Sequence, residues 1–178
     1  MKTCSLYGFI MAICSAVLVL ALYFLGYHSD PAKLTSAKWI GGLGGLAIAI
    51  TVIILGVRAR RAEIPANEPF GYGSAFGAVF MICLVNSVIY SIFFYAYLAF
   101  INTGFTDMIV QDTMDKMQAK GISGTQLDNM EKGIRFMSSP VMQSASSLIG
   151  GVIFGLILAA IIAAFMKRPA PAAVIRQV

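Results

Sequence analysis

From Pro69 to Thr106 the chain runs 38 residues without a charged side chain. A helix rises about 1.5 Å per residue, and about 20 apolar residues cross the hydrocarbon core of a bilayer. The run is long enough to cross once with more than a turn to spare at each end. Backbone placed in lipid has to bond to itself, which leaves helices or closed barrels. Three further charge-free runs, Thr3–Ser29, Trp39–Val57 and one that follows Pro140, frame the first. With 58% hydrophobic residues and a mean hydropathy of +0.81, the composition lies outside the soluble globular range. The chain reads as all-α, an integral membrane four-helix bundle in a single domain.

The expected spans are residues 5–27, 38–57, 72–102 and 140–166. Lys2 ahead of the first run is how a secretory signal opens. The apolar stretch Leu6–Leu25 is longer than a signal core, however, and no A-x-A cleavage site follows it. An uncleaved first span is expected. The second span opens on Gly41, Gly42, Gly44 and Gly45, and Gly41, Gly45 and Ala49 form an i, i+4 groove. This cluster follows no strand, so it is not a phosphate-binding fingerprint. Ser139-Pro140 supplies an N-cap and a first-turn proline for the fourth span, along which Gly151, Gly155, Ala159 and Ala163 make a smooth ridge. Pro169–Val178 is expected to be a mobile tail.

Between the third and fourth spans, residues 105–138 change character. Asp107–Arg135 holds five acidic and four basic residues. Met108, Val110, Met114, Met117 and Ile122 are apolar in its first half. After the break at Gly121-Ile-Ser-Gly124, Leu127, Met130, Ile134 and Met137 fall on one helical face. Two short amphipathic helices are expected, lying on the membrane or capping the bundle.

Asn86, Tyr90, Phe93, Tyr97 and Phe100 share one face of the third span. The stripe suits a lipid, a quinone, a pigment or a partner helix, and Asn86 is expected to pair with a neighbouring helix. The opposite side carries Gly73, Gly77, Ser87 and Ser91, small enough for close helix approach.

Orientation follows from the basic residues close to the spans. Lys2, Arg58, Arg60, Arg61, Lys167, Arg168 and Arg176 lie on the side of both termini, against Lys33 and Lys38 on the other. Both termini are expected in the cytoplasm.

Several classes of function find no support. The net charge of +5 follows topology and forms no basic patch interleaved with aromatics, so no nucleic acid partner is expected. Cys4, Cys14 and Cys83 make no CxxC pair, and His28 is the single histidine, so no metal is indicated. Cys83, Ser87 and Ser91 have no base within their own segment, so no catalytic residue and no cofactor are assigned. The predicted span cores contain no Asp, Glu, Lys, Arg or His, which argues against proton-coupled transport.

Arg58–Arg61 after the second span, the lead-in Phe70-Gly-Tyr-Gly-Ser-Ala-Phe76 and the restart Gly121-Ile-Ser-Gly-Thr-Gln-Leu127 resemble the DUF4199 bacterial membrane proteins. The likeness extends over nearly the whole chain. It implies four membrane helices in a bacterial cytoplasmic (inner) membrane, and no activity.

Three small-residue ridges in four helices point to a structural or accessory membrane protein. Its partners would be membrane lipids and another membrane protein or further copies of itself, with at least one ridge meeting another chain. A small oligomeric transporter or channel, or a lipid-binding protein, is the alternative.

Overall fold

In the computed structural model, which describes residues 1–168, six α-helices account for most of the chain. They are α1 (Lys2–Phe24), α2 (Leu34–Ala62), α3 (Tyr72–Ala96), α4 (Phe105–Gln118), α5 (Thr125–Met137) and α6 (Pro140–Met166). Helices α1, α2, α3 with its extension to Ile101, and α6 are each long and apolar enough to cross a membrane. The tail expected to be mobile, and Arg176 within it, lie outside the described residues.

Helix ends follow local chemistry. The Asp30 carboxylate accepts from the Ala32 amide at 2.9 Å and starts a short 3-10 turn, Pro31–Lys33, that runs into α2. At the far end Arg60 and Arg61 occupy the last turn of α2, where cations oppose the negative end of the helix dipole. The helix thus extends beyond the expected 38–57 at both ends. Counting charge-free residues clips a helix at its first charge, whereas long basic side chains continue it into the interface. Ser139 Oγ accepts from the Met142 amide at 3.4 Å, and Pro140 occupies the first turn of α6. The third span changes geometry at Tyr97–Ile101, a single π-helical turn. Gly121 and Gly124, at φ +83° and +65°, carry the chain between α4 and α5 through backbone that L side chains rarely adopt.

Helix α3 is the hub, flanked by α1 and α6, while α2 packs mainly on α1 and barely meets α6. The core occupies one half of the bundle. It takes Cys4 and Met11 from α1, Val52, Ile53 and Val57 from α2, Ala75, Val79, Ile82 and Cys83 from α3, and Ala159 and Ala163 from α6. Helices also approach closely at Gly8, where an added Cβ would lie 2.7 Å from the Ile82 carbonyl oxygen, and at Gly56, where it would lie 2.7 Å from Ile82 Cδ1. Phe70, fully buried, and Arg168 exchange two backbone hydrogen bonds of 3.1 and 2.8 Å, pinning the end of α6 to the start of α3. Arg168 Nη2 adds bonds to the carbonyls of Pro65 at 2.7 Å and Glu68 at 2.8 Å. Thr3 Oγ1 donates to Glu63, which also pairs with Arg60 at 2.5 Å, so α1 and α2 are tied at the same end.

Candidate functional site

The other half of the bundle is hollow. A cavity of about 700 Å³ lies among the second half of α1 (Met11, Ser15, Leu18, Leu22), the first half of α2 (Lys38, Gly41, Gly45, Ala49), the second half of α3 (Cys83, Asn86, Tyr90, Phe94) and the first half of α6 (Gln143, Ser147, Gly151, Leu158). His28, Phe105 and Ile109 stand at its outer end. From Lys38 to Ala49 along α2 is about 17 Å at helical rise. Half of a bilayer's hydrocarbon thickness is about 15 Å. The cavity is thus about one leaflet deep, and it ends on the packed core at Met11 and Cys83.

Its cause is compositional. The first half of α2 carries four glycines, and the first half of α6 carries Ser144, Ser146, Ser147, Gly150 and Gly151. Such residues let helices approach but supply no volume to fill the space between α2 and α6 where the two diverge. A Cβ added at Gly41 would lie 3.5 Å from Leu22 Cδ1 and one at Gly44 3.0 Å from Leu18 Cδ2, so these two glycines face α1. An added Cβ at Gly42 or Gly45 meets nothing within 4 Å.

The small-residue surfaces divide into three kinds. Gly151 and Gly155 pack on α3 of the same chain: an added Cβ would lie 2.5 Å from Ser87 Oγ and 2.5 Å from Cys83 Cβ, respectively. The Gly41–Gly45–Ala49 groove borders the cavity. Gly73 and Gly77 have no atom of this chain within 4 Å of an added Cβ and are not close-approach points within the bundle. Gly8 and Gly56 are; Gly8 opens the i, i+4 series Gly8–Ala12–Ala16, and Gly56 belongs to no such series.

The polar–aromatic stripe also divides. Asn86 and Tyr90 line the cavity, and the ring of Tyr90 stacks on Phe94 at 5.7 Å. The expected interhelical partner of Asn86 is missing, for its Oδ1 is buried without a hydrogen bond. The small residues opposite it on α6 carry no group long enough to reach it. Tyr97 is fully buried and Phe100 is 77% exposed, because the π turn rotates the following residues off the face.

Tyr97 instead anchors the cavity mouth. Its hydroxyl lies 2.8 Å from His28 Nδ1 and accepts from Asn102 Nδ2 at 2.9 Å, while Asn102 Nδ2 also reaches the His28 carbonyl at 3.1 Å. In the neutral imidazole the Tyr97 hydroxyl thus engages Nδ1 and leaves Nε2 as the free ring nitrogen. Burial lowers the His28 pKa from its ordinary value, which favours that neutral form. Phe105 covers the ring at 5.2 Å between centroids, joining α4 to the mouth. Met114 and Val110 bury the inner face of α4, whereas α5 has no buried residue and is held by Arg135 to Asp107 at 2.5 Å.

The sequence pattern of a family described as a protein of unknown function, DUF4199, matches residues 6–168. No curated protein and no solved structure matches the chain.

Proposed function

The chain belongs to the DUF4199 family, whose description assigns no activity, and on the geometry we propose that it is a membrane protein that holds an amphipathic lipid in the cavity between α2 and α6. The observation that carries this reading is a cavity of about 700 Å³ confined to one half of the bundle. That size is within the range of about 300–1,000 Å³ typical of small-molecule sites. Its walls are mostly aliphatic and aromatic, and α2 barely meets α6, so little packing closes the cavity between those two helices. A cavity that stops on a packed core supports holding a molecule over conducting one. The reading includes a bacterial inner membrane with both termini in the cytoplasm, on the bias of basic residues, and it includes no chemistry on the bound molecule.

The test is lipid analysis of the protein purified from its membrane in mild detergent. One retained lipid per chain is expected. Gly45→Phe, placed where an added side chain meets open space, should displace that lipid and leave the fold intact. A chain that carries no stoichiometric lipid, or a Gly45→Phe variant that keeps it, overturns the reading.

Assembly with a partner subunit or a second copy is the second reading. With Gly151 and Gly155 occupied by α3 of the same chain, it rests on α2, where Gly42 leaves the backbone open. A stoichiometric protein in place of the lipid would favour it.

A further inference from the structure

The cavity's polar groups differ in kind along its depth, and the difference identifies the ligand's head. Lys38 is the one charged residue in the lining, and no Asp or Glu lines the space. Four acids of the same end are engaged elsewhere: Asp30 with Lys33 at 3.7 Å, Asp107 and Glu131 with Arg135, and Asp112 with Lys116. Asp115 and Asp128, on α4 and α5, do not line the cavity. Lys38 makes no ion pair among the described residues. Beside it at the mouth stands His28, whose Nδ1 is engaged by Tyr97 at 2.8 Å, leaving Nε2 as its free ring nitrogen. The mouth therefore offers a cation and an imidazole, and no carboxylate among the described residues. Below it the walls are Leu18, Leu22, Leu46, Phe94 and Phe154, down to Leu158.

We propose that the site takes a single-chain anionic amphiphile, a long-chain carboxylate or phosphate, with its head at Lys38 and His28 and its chain running inward between α2 and α6 toward Asn86. This rests on the lipid-holding reading and adds the sign of the head and its direction in the cavity. A head at Lys38 sits at the membrane boundary, where the ammonium needs no desolvation to meet it. The chain occupies one leaflet depth, which matches the length of the hollow half.

The experiment uses the full chain in a lipid-free detergent, titrated with palmitate, hexadecyl phosphate or hexadecanol and read by native mass spectrometry as adducts per chain. One palmitate or one hexadecyl phosphate per chain is expected, with hexadecanol bound about tenfold more weakly, the scale of one lost charge-assisted hydrogen bond. Lys38→Gln, at an exposed position, should bring palmitate and hexadecyl phosphate down to the hexadecanol level and leave hexadecanol unchanged. A tighter fit for hexadecyl phosphate assigns a lipid phosphate, and a tighter fit for palmitate a free fatty acid. Hexadecanol binding as tightly as palmitate, or a preference for palmitate that survives Lys38→Gln, overturns the assignment of the head and leaves the lipid-holding reading standing. If none of the three saturates at one per chain, both fall.

Discussion

Gly155 of α6 lies against Cys83 of α3, so that a Cβ on the glycine would stand 2.5 Å from the Cβ of the cysteine. The obstructing atom is the root of a side chain on a rigid helix and has no rotamer by which to withdraw. Gly155→Ala should therefore force the two helices apart and cost about 2 kcal/mol, the scale of overpacking a tight core. Gly73→Ala and Gly77→Ala, with open space at both positions, should leave stability unchanged or raise it. Unfolding curves of the three variants in detergent decide the point, and equal losses at all three would contradict it.

Asn86 offers a prediction of the opposite sign. Its Oδ1 is buried without a partner, and such a group costs about 1–3 kcal/mol relative to a satisfied one. Asn86→Leu should raise the melting temperature of the ligand-free protein. A fall on that substitution would mean that the amide is bonded in solution.

The two cases show what the sequence could and could not tell. The ridge Gly151–Gly155 was legible because i, i+4 spacing of small residues describes a smooth helix face, and that face is indeed packed closely. Which helix it packs on was not, since pairing depends on how four spans are arranged. The face of Asn86 and Tyr90 was legible from helical periodicity, and it stopped being so at Tyr97, where a π turn adds a residue that no periodicity count contains. Gly56 escaped notice because it stands alone, whereas Gly8 was legible in principle from the series Gly8–Ala12–Ala16. The cavity itself is a property of two helices diverging, and no single stretch of sequence encodes that.

The buried imidazole at the mouth makes stability depend on pH. His28 titrates below its ordinary value of 6.5 because burial disfavours its charged form. Just below pH 6.5 the unfolded chain binds more protons than the folded one, so stability is full above that pH and declines as the pH falls through it. The decline should level off below the folded-state pKa. Melting temperatures measured from pH 8 down to 5 should show it, and His28→Gln, which cannot take up a proton, should flatten the curve over that window.

Arg168 joins three segments through one side chain and two backbone bonds. The side-chain bonds all leave from Nη2, at the far end of a planar group that reaches farther and more rigidly than an ammonium on a flexible stem. Arg168→Ala should expose the Glu63–Phe70 link to proteolysis and cost about 2 kcal/mol, and Arg168→Lys should restore little of it. Digestion patterns identical to the unsubstituted protein would show that the link holds without the fork.

Topology is open to direct labelling. In a variant without Cys4, Cys14 and Cys83, a cysteine placed at Ser123 should react with an impermeant reagent in intact cells once any outer membrane is permeabilised. One at Ala66, in the exposed link between α2 and α3, should react only after lysis. The reverse pattern would invert the bundle and place the cavity in the other leaflet.

The division of the bundle into a packed half and a hollow half has a mechanical consequence. Close backbone approaches at Gly8 and Gly56 and the strap between Phe70 and Arg168 make one end stiff. The other end has α2 and α6 separated by space that a fluid chain can fill or vacate. Lateral pressure in a bilayer therefore meets a wedge with one compliant edge: squeezing the leaflet around the hollow half moves α2 and α6, while the same squeeze on the other leaflet moves nothing. On the lipid-holding reading proposed above, occupancy of the cavity should therefore rise and fall with how tightly the leaflet around the hollow half is packed.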